Sequence, residues 1–204
     1  MSLSGDANGT ADVELLHRAA AGDKDAFGVV FERYQHVVYR FARAMTGSSD
    51  AAEDITQEVF VVLIRDLRRY APERATLSTY LYGIARNLSR ERLRRERRLL
   101  ACLTGLPHLR EAVAIEPVDH VADAERKADV RRALAGLPVR YREVVILCDL
   151  HDLSYADVGT ILRTSIGAVR SRLHRGRQLL RQRLATATTL TGRQLPRSSV
   201  RCSA

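Results

Sequence analysis

Residues 154–183 read SYADVGTILRTSIGAVRSRLHRGRQLLRQR, a pattern that predicts two helices joined by a short turn. Ser154 and Asp157 have the spacing of a capping box, in which side chains satisfy the first backbone N–H groups of a helix. Residues 163–165 form the turn, and its last two residues are both suited to cap the second helix. Gly159 leaves room for the second helix to cross closely. Apolar residues at helical spacing predict the buried faces of the pair: Val158, Ile161, Leu162, Ile166, Val169, Leu173 and Leu180.

The second helix of this pair is predicted to present a basic face. Its outward residues are Arg170, Ser171, His174, Arg175 and Arg177. A helix that is held by a neighbour and presents such side chains fits the DNA major groove, where Arg pairs with guanine O6 and N7. The alternative is a solvated Arg-rich surface helix, which the capped partner helix and the three-residue turn disfavour. His174 has no second metal ligand at helical spacing, so no metal site is expected.

The positive charge is concentrated in two segments of the chain. The 204 residues carry a formal net charge of +9, with +7 in residues 163–183, +5 in residues 86–98 and −5 in residues 1–62. A basic stripe on a helix is typical of proteins that bind a polyanion, because each neutralised phosphate releases condensed counterions. One such stripe in each half predicts two contacts with nucleic acid, while the acidic start faces another partner or only solvent.

Several classes of protein are disfavoured by the sequence. The three cysteines, Cys102, Cys148 and Cys202, have no metal-ligand spacing around them. There is no Gly-rich phosphate loop and no cluster of His and carboxylates that would suit catalysis. The start of the chain is polar, and no apolar run approaches the roughly 18 residues of a membrane span. We therefore expect a cytoplasmic protein that is not an enzyme, holds no cofactor and does not insert into a membrane.

The fold is predicted to be all-α, with two small helical domains joined by a linker. Helical periodicity over residues 12–99 predicts a four-helix bundle, and residues 125–185 predict a second four-helix domain that contains the helix-turn-helix. Glycine, prolines and acidic residues interrupt the pattern over residues 100–124, which indicates a linker. Residues 1–11 are expected to be disordered and residues 186–204 to form a flexible tail.

Three motifs, in this order, resemble one protein family. They are AEDITQEVF at residues 52–60, YLYGIARN at residues 80–87 and GAVRSRLHR at residues 167–175. Residues 26–95 resemble region 2, and residues 134–184 region 4, of the extracytoplasmic-function (ECF, group IV) bacterial RNA polymerase sigma factors. The resemblance implies that the protein binds core RNA polymerase and directs promoter-specific transcription initiation.

The resemblance assigns two roles to the first domain. The residues that would dock on the clamp helices of the largest polymerase subunit are Asp54, Gln57, Glu58 and Phe60, although the carboxylates would also suit an ordinary solvated helix face. The loop at residues 71–79 and the next helix would read the minus-10 element, help melt the duplex and hold an unpaired base. The minus-10 residues would be Tyr80, Arg86, Asn87, Arg90, Arg94 and Arg95. Tyr80 stands where the family usually has Trp, and Tyr82 is equally suited to the core.

The resemblance also assigns the minus-35 element to the second domain. The residues that would bind it are Arg170, Ser171, Arg172, His174, Arg175 and Arg177. The implied partners are core RNA polymerase and promoter DNA, with an anti-sigma factor as a further candidate because family members are commonly held inactive by one. A homodimer is not expected. A stand-alone helix-turn-helix regulator is the alternative function, but it predicts a dimerisation surface and leaves the basic stripe at residues 86–98 unexplained.

Overall fold

The computed structural model describes residues 5–67, 70–104 and 122–191, and all regular structure in those residues is helical. The helices of the first half are α1 (Gly5–Ala20), α2 (Lys24–Thr46), α3 (Ser49–Arg65) and α4 (Leu77–Thr104). Those of the second half are α5 (Ala122–Ala135), α6 (Val139–Val145), which continues as a π-helical turn (Ile146–Leu150), α7 (Tyr155–Leu162) and α8 (Ile166–Thr191). The predicted all-α fold with two helical domains is confirmed.

Several helices extend further than the sequence pattern predicted. The ends that differ are Gly5 for α1, Thr104 for α4, Ala122 for α5 and Thr191 for α8. The prediction that residues 1–11 are disordered is therefore wrong from residue 5 onward. Once a docked segment has nucleated a helix, each further residue adds one backbone hydrogen bond at little cost. The rest of the predicted linker and tail, residues 105–121 and 192–204, lies outside the described residues.

The central helix of the first half is α2, which packs against α1, α3 and α4. It begins where Asp23 Oδ1 accepts hydrogen bonds from the backbone N–H groups of Asp25 and Ala26, each at 3.0 Å. It ends at Gly47, whose φ of +81° lies in the left-handed region that favours glycine. Ser48 follows directly and caps α3. Among the buried core residues are Val30, Val38, Phe41, Met45, Ile55, Val59, Leu63, Leu77 and Leu81.

A buried carboxylate attaches α1 to α2. Asp12 is only 2% exposed and accepts hydrogen bonds from the Arg33 guanidinium and the Tyr34 hydroxyl, both on α2. A carboxylate out of water is stable only with such partners. Burial, together with the hydrogen bond to Asp12, raises the pKa of Tyr34 well above its usual range. The α1 helix is thus held by a specific polar contact as well as by apolar packing at Leu16.

In the second half, α6 and α8 lie unusually close together at one glycine. A Cβ atom added at Gly176 would lie 2.7 Å from Val145 Cγ2 and 3.3 Å from the carbonyl oxygen of Tyr141. Real Cβ atoms essentially never approach another heavy atom to 2.7 Å, so only a glycine fits there without movement. The buried faces of the two helices include Val144, Val145, Val169 and Leu173.

The two halves pack against each other. The α4 helix contacts α7, while α2 contacts α5, α6 and the π-helical turn. Between the halves lies the fully buried Arg142, whose Nη1 donates to the carbonyl oxygen of Met45 at 2.7 Å. Its Nη2 donates to the carbonyl oxygens of Leu137, at 3.0 Å, and Ala135. One side chain of α6 therefore binds both its own domain and the end of α2.

The close approach of α6 and α8 predicts a large effect of a small substitution. Gly176→Ala should lower the free energy of unfolding by about 1–3 kcal/mol, as expected for overpacking. Urea denaturation followed by circular dichroism measures this. Gly28→Ala is the matched control, because a Cβ at Gly28 in α2 meets nothing within 4 Å. It should be neutral or stabilising by up to about 1 kcal/mol, since Ala is the better helix former. Equal denaturation midpoints for the two variants would contradict the packing described.

Candidate nucleic-acid interface

The helix-turn-helix is built by capping at both ends of its turn. Ser154 Oγ accepts from the backbone N–H of Asp157 at 3.1 Å and starts α7. Arg163 ends it with a φ of +51°, and Ser165 Oγ accepts from the N–H of Ala168 at 3.3 Å to start α8. Gly159 gives room for the turn itself rather than for a crossing helix, because a Cβ there would lie 3.0 Å from the Thr164 carbonyl oxygen.

The outward face of α8 carries the polar side chains predicted from the sequence. Those exposed to solvent are Arg170, Ser171, His174 and Arg175, whereas Arg172 is half-buried. The opposite face is anchored by Val169 and Leu173, which are 0% and 2% exposed. The Arg170 guanidinium lies 5.6 Å from the ring centroid of Tyr155 on α7, a cation–π contact that restrains its position. The sequence pattern did not single out Tyr155.

Arg177 differs from the other arginines of α8 because it already has a carboxylate partner. Its Nη2 and Nε lie 2.6 Å and 3.1 Å from the two carboxylate oxygens of Asp149, in the π-helical turn. The hydrogen bond to Asp149 raises the pKa of Arg177 above its ordinary value. This bidentate pair ties α8 to the π-helical turn. It lowers the availability of Arg177 for DNA relative to Arg170 and Arg175.

The basic residues of α4 are divided between solvent and protein partners. Asn87 and Arg94 are exposed. Arg95 is exposed and pairs with Glu91 one turn earlier. The Tyr80 ring is half-buried and lies 5.4 Å from the Tyr70 ring, so that an aromatic pair lies at the start of α4.

The remaining two predicted minus-10 arginines of α4 point at the second domain. Arg86 Nε lies 2.8 Å from one oxygen of Glu143, and Arg90 Nη1 lies 3.4 Å from the other. Glu143 is on α6 and only 1% exposed. Nothing in the local spacing of either segment indicates this contact, because its partners are more than fifty residues apart in the chain.

Tyr82 lies in the core, one of its two predicted interpretations. It is 4% exposed, and its hydroxyl lies 2.7 Å from His151 Nδ1 of the second half. Burial, and secondarily the positive charge of Arg40, lowers the pKa of His151 to about 4. His151 is therefore neutral at pH 7, and its Nδ1 accepts the hydrogen bond that the Tyr82 hydroxyl donates.

One face of α3 is exposed and mixes acidic with apolar side chains. Asp54, Gln57 and Glu58 are exposed there, and Val61 and Ile64 lie one and two turns further on, each 52% exposed. Beside this face is a concavity of about 270 Å³ between α2 and α3. The sequence pattern missed the two apolar residues, whose exposure is the signal that distinguishes this face from an ordinary solvated one.

Phe60, which the resemblance assigns to polymerase binding, lies beneath the exposed face of α3 and not on it. Its ring is 3% exposed and packs edge-on against Phe31 and Phe27, with centroids 4.8 Å and 6.3 Å away. Helical periodicity explains this, since Phe60 follows the buried positions of Thr56 and Val59 rather than the exposed ones. Phe60 therefore packs against α2, beneath the exposed face of α3.

Two further findings concern only the described residues. Among those residues, no group of three or more His, Cys, Asp or Glu side chains is arranged to hold a metal ion. None of the helices in the described ranges combines the length and apolar character needed to cross a membrane.

Two conserved families match the sequence, one in each half. Residues 30–99 match Sigma-70 region 2, and residues 127–180 match Sigma-70, region 4. The chain is 36% identical over 178 residues to the ECF RNA polymerase sigma factor SigE of Mycolicibacterium smegmatis, an alignment that covers 84% of this chain and 68% of SigE. It is 33% identical over 177 residues to SigW of Bacillus subtilis, covering 83% of this chain and 94% of SigW.

Solved structures show the same architecture. CnrH, in complex with the cytosolic domain of CnrY, is similar with a TM-score of 0.63 and 26% sequence identity, covering 86% of this chain and 98% of CnrH. The sigma factor RpoE from Bartonella quintana, in complex with the anti-sigma factor NepR, has a TM-score of 0.64 and 26% identity, covering 78% and 96%. Alignments of this length include residues of both halves.

The buried neutral His151 predicts a loss of stability in mild acid. Its pKa is about 4 in the folded protein against an ordinary value of 6.5, so the unfolded chain binds more protons between those values. The contribution of neutral His151 to stability is present above pH 6.5 and is lost as the pH falls toward 4. The slope due to this residue should be about 1 kcal/mol per pH unit, reduced from about 1.4 by residual solvent contact.

Urea denaturation at several pH values measures that slope. His151→Gln should flatten it, because Gln keeps a hydrogen-bond acceptor for Tyr82 but does not titrate. Asp152 and Arg40 also act on His151 and remain in this variant. His36→Gln, at an exposed position of α2, is the control and should keep the wild-type slope. An unchanged slope in His151→Gln would contradict the neutral, buried state.

Proposed function

The chain belongs to the ECF family of RNA polymerase sigma factors and as such directs transcription initiation, and from that premise we propose that it reads promoter DNA at two places. The α8 helix binds the minus-35 element, and α4 with the preceding loop binds the minus-10 element and helps melt it. The observation that carries the proposal is the outward face of α8, where Arg170, Ser171, His174 and Arg175 project together from a helix whose inner face is buried.

The minus-35 role is supported by how α8 is held. Its first turn is capped by Ser165, and its apolar face packs against α6 and α7, so its outward side chains are presented on a rigid support. The Tyr155 ring restrains Arg170 before DNA arrives, which reduces the entropy lost on binding. Arg177 is a weaker candidate than Arg170, because binding DNA would require it to leave Asp149.

The minus-10 role is supported by the exposed polar residues of α4. Asn87 can pair with a base edge, and Arg94 and Arg95 can bind phosphates of the separated strand. The half-buried Tyr80 offers an aromatic surface for stacking beside Tyr70. Arg86 and Arg90 join this set only when Glu143 releases them.

Core RNA polymerase is the proposed partner of the exposed face of α3. Asp54, Gln57 and Glu58 supply polar and charged contacts, while Val61 and Ile64 supply apolar area that water would otherwise cover. Interface centres are typically apolar with a polar rim, which fits this composition. The clamp helices of the largest polymerase subunit are the proposed docking site, and the cytoplasm is the proposed location of the protein.

An anti-sigma factor is proposed as a second partner. The support is the likeness of both halves to RpoE, which was crystallised with the anti-sigma factor NepR. A stand-alone helix-turn-helix regulator is not favoured, because the matches to region 2 and region 4 together account for both basic segments.

Run-off transcription tests the proposed function. Core RNA polymerase with this protein should initiate on a randomised promoter library and select two sequence blocks separated by a fixed spacer. Tight, sequence-specific binding by the protein alone, with no initiation at any sequence, would instead support the stand-alone regulator.

Loss of one DNA contact should weaken promoter recognition selectively. Arg170→Ala should reduce initiation on the selected promoter about 5- to 150-fold, the equivalent of about 1–3 kcal/mol for a bidentate base contact, and should relax the preference at one minus-35 position. Arg140→Ala, an exposed arginine of α6 outside both basic faces, is the control and should change initiation less than twofold. Equal losses in the two variants would indicate a non-specific effect of charge.

A substitution on α3 should separate polymerase binding from DNA binding. Val61→Arg should weaken the affinity for core RNA polymerase at least tenfold, because it puts a charge in the apolar part of the proposed interface. Val29→Arg is the matched control, since Val29 is 44% exposed on α2 and outside that face. Fluorescence anisotropy of labelled protein titrated with core polymerase measures both. If Val61→Arg binds like the wild type, another surface contacts polymerase.

A further inference from the structure

Two of the arginines proposed for the minus-10 element are already occupied by a carboxylate of the other half. Arg86 Nε and Nη2 lie 2.8 Å and 3.4 Å from the Glu143 oxygens, and Arg90 Nη1 lies 3.4 Å from one of them. The side chains of Glu143 and Arg86 are 1% and 14% exposed. A DNA phosphate has no access to Arg86 in this arrangement, because Glu143 binds the guanidinium and packed helices surround it.

Further polar bonds between the described parts of the two halves come from the same short segment, residues 142–151, which we call the latch. His151 accepts from the Tyr82 hydroxyl, and the carbonyl oxygen of Leu150 accepts from Arg40 Nη2 at 3.1 Å. Arg142 donates to the carbonyl oxygen of Met45. The latch thus contacts α2 and α4 with charged, aromatic and backbone groups at once.

The dimensions of a promoter are incompatible with this packing. Minus-35 and minus-10 elements lie about 25 base pairs apart, which is about 85 Å along the DNA axis at 3.4 Å per base pair. A compact chain of this length is only about 45 Å across, by the usual scaling of size with residue number. While Glu143 touches Arg86, α4 and α8 cannot lie on both elements of one promoter.

We infer that this packing is a self-inhibited closed state in which Glu143 acts as an internal counter-ion in place of promoter phosphates, so that the latch must release α4 before the minus-10 element can bind. The inference rests on the proposed function of α4 and α8. It assigns to Glu143, Tyr82 and His151 a role in holding the protein inactive that requires no anti-sigma factor.

Opening exchanges one set of charge partners for another. In the closed state Arg86 and Arg90 neutralise Glu143, and in the open state DNA phosphates take its place while Glu143 gains water. A buried ion pair is costly to break by removing one partner, so opening needs a ligand that binds only the open state. Core polymerase and promoter DNA are such ligands. The apparent DNA affinity of the free protein is reduced by the fraction of molecules that are open.

The test uses the full chain and a charge-neutral replacement. Glu143→Gln should increase the radius of gyration by at least 3 Å over a compact value of about 17 Å, measured by small-angle X-ray scattering. It should also bind a fluorescein-labelled single strand carrying the selected minus-10 block at least fivefold more tightly without polymerase. Glu91→Gln is the matched control, because it makes the same charge change and frees the minus-10 residue Arg95 without touching the second half. It should leave the radius unchanged and alter affinity less than twofold.

The outcomes separate the latch from the proposed function. If the wild type supports initiation but Glu143→Gln keeps its radius and DNA affinity, the latch is overturned, and an extended wild-type protein in solution overturns it as well. If the wild type supports no initiation, the proposed function fails. The radii of gyration of the wild type and Glu143→Gln still decide whether the latch holds the two halves together. Should Glu143→Gln fail to fold by circular dichroism, Tyr82→Phe decides by the same two measurements. It keeps the core ring and removes only the hydroxyl that reaches His151.

Discussion

Two adjacent charged residues with fully buried side chains, Arg142 and Glu143, hold the structure together. Neighbouring positions on a helix point about 100° apart, so the two side chains serve different neighbours. Arg142 reaches backbone carbonyls at the α5–α6 turn and at the end of α2, while Glu143 reaches Arg86 and Arg90 on α4. A buried charge without a partner is unfavourable by several kcal/mol. Each of the two residues therefore loses a partner when the halves separate.

Most of the fold could be predicted from the sequence, because it follows from local rules. The apolar spacing of α2, α3, α7 and α8 corresponds to buried residues such as Val30, Val59, Val158 and Leu173. The cap at Ser154 was readable from side-chain chemistry alone. Helix ends were less predictable, since propagation beyond a docked segment depends on what the segment packs against.

Residues of the candidate site could be predicted only where helical periodicity alone determines which side chains face the solvent. Asn87 and Arg170 lie on solvent-facing positions as expected. The pairing of Arg86 with Glu143, and of Arg177 with Asp149, could not be predicted, because each joins segments that are distant in sequence and that meet only through tertiary packing. Phe60 remains a polymerase contact predicted from the resemblance, whereas helical spacing puts it with the buried residues Thr56 and Val59.

The π-helical turn at Ile146–Leu150 has a consequence for how the chain tolerates change in length. A π-helical turn holds more residues than an α-helical one, so it shifts the register of everything that follows. In this register Asp149 meets Arg177, and the carbonyl of Leu150 meets Arg40. Removing one residue here would restore ordinary α-helix and rotate both groups away from their partners together. At Leu150, which binds Arg40 through its backbone carbonyl, the number of residues in the turn therefore constrains the molecule more tightly than the identity of the side chain does.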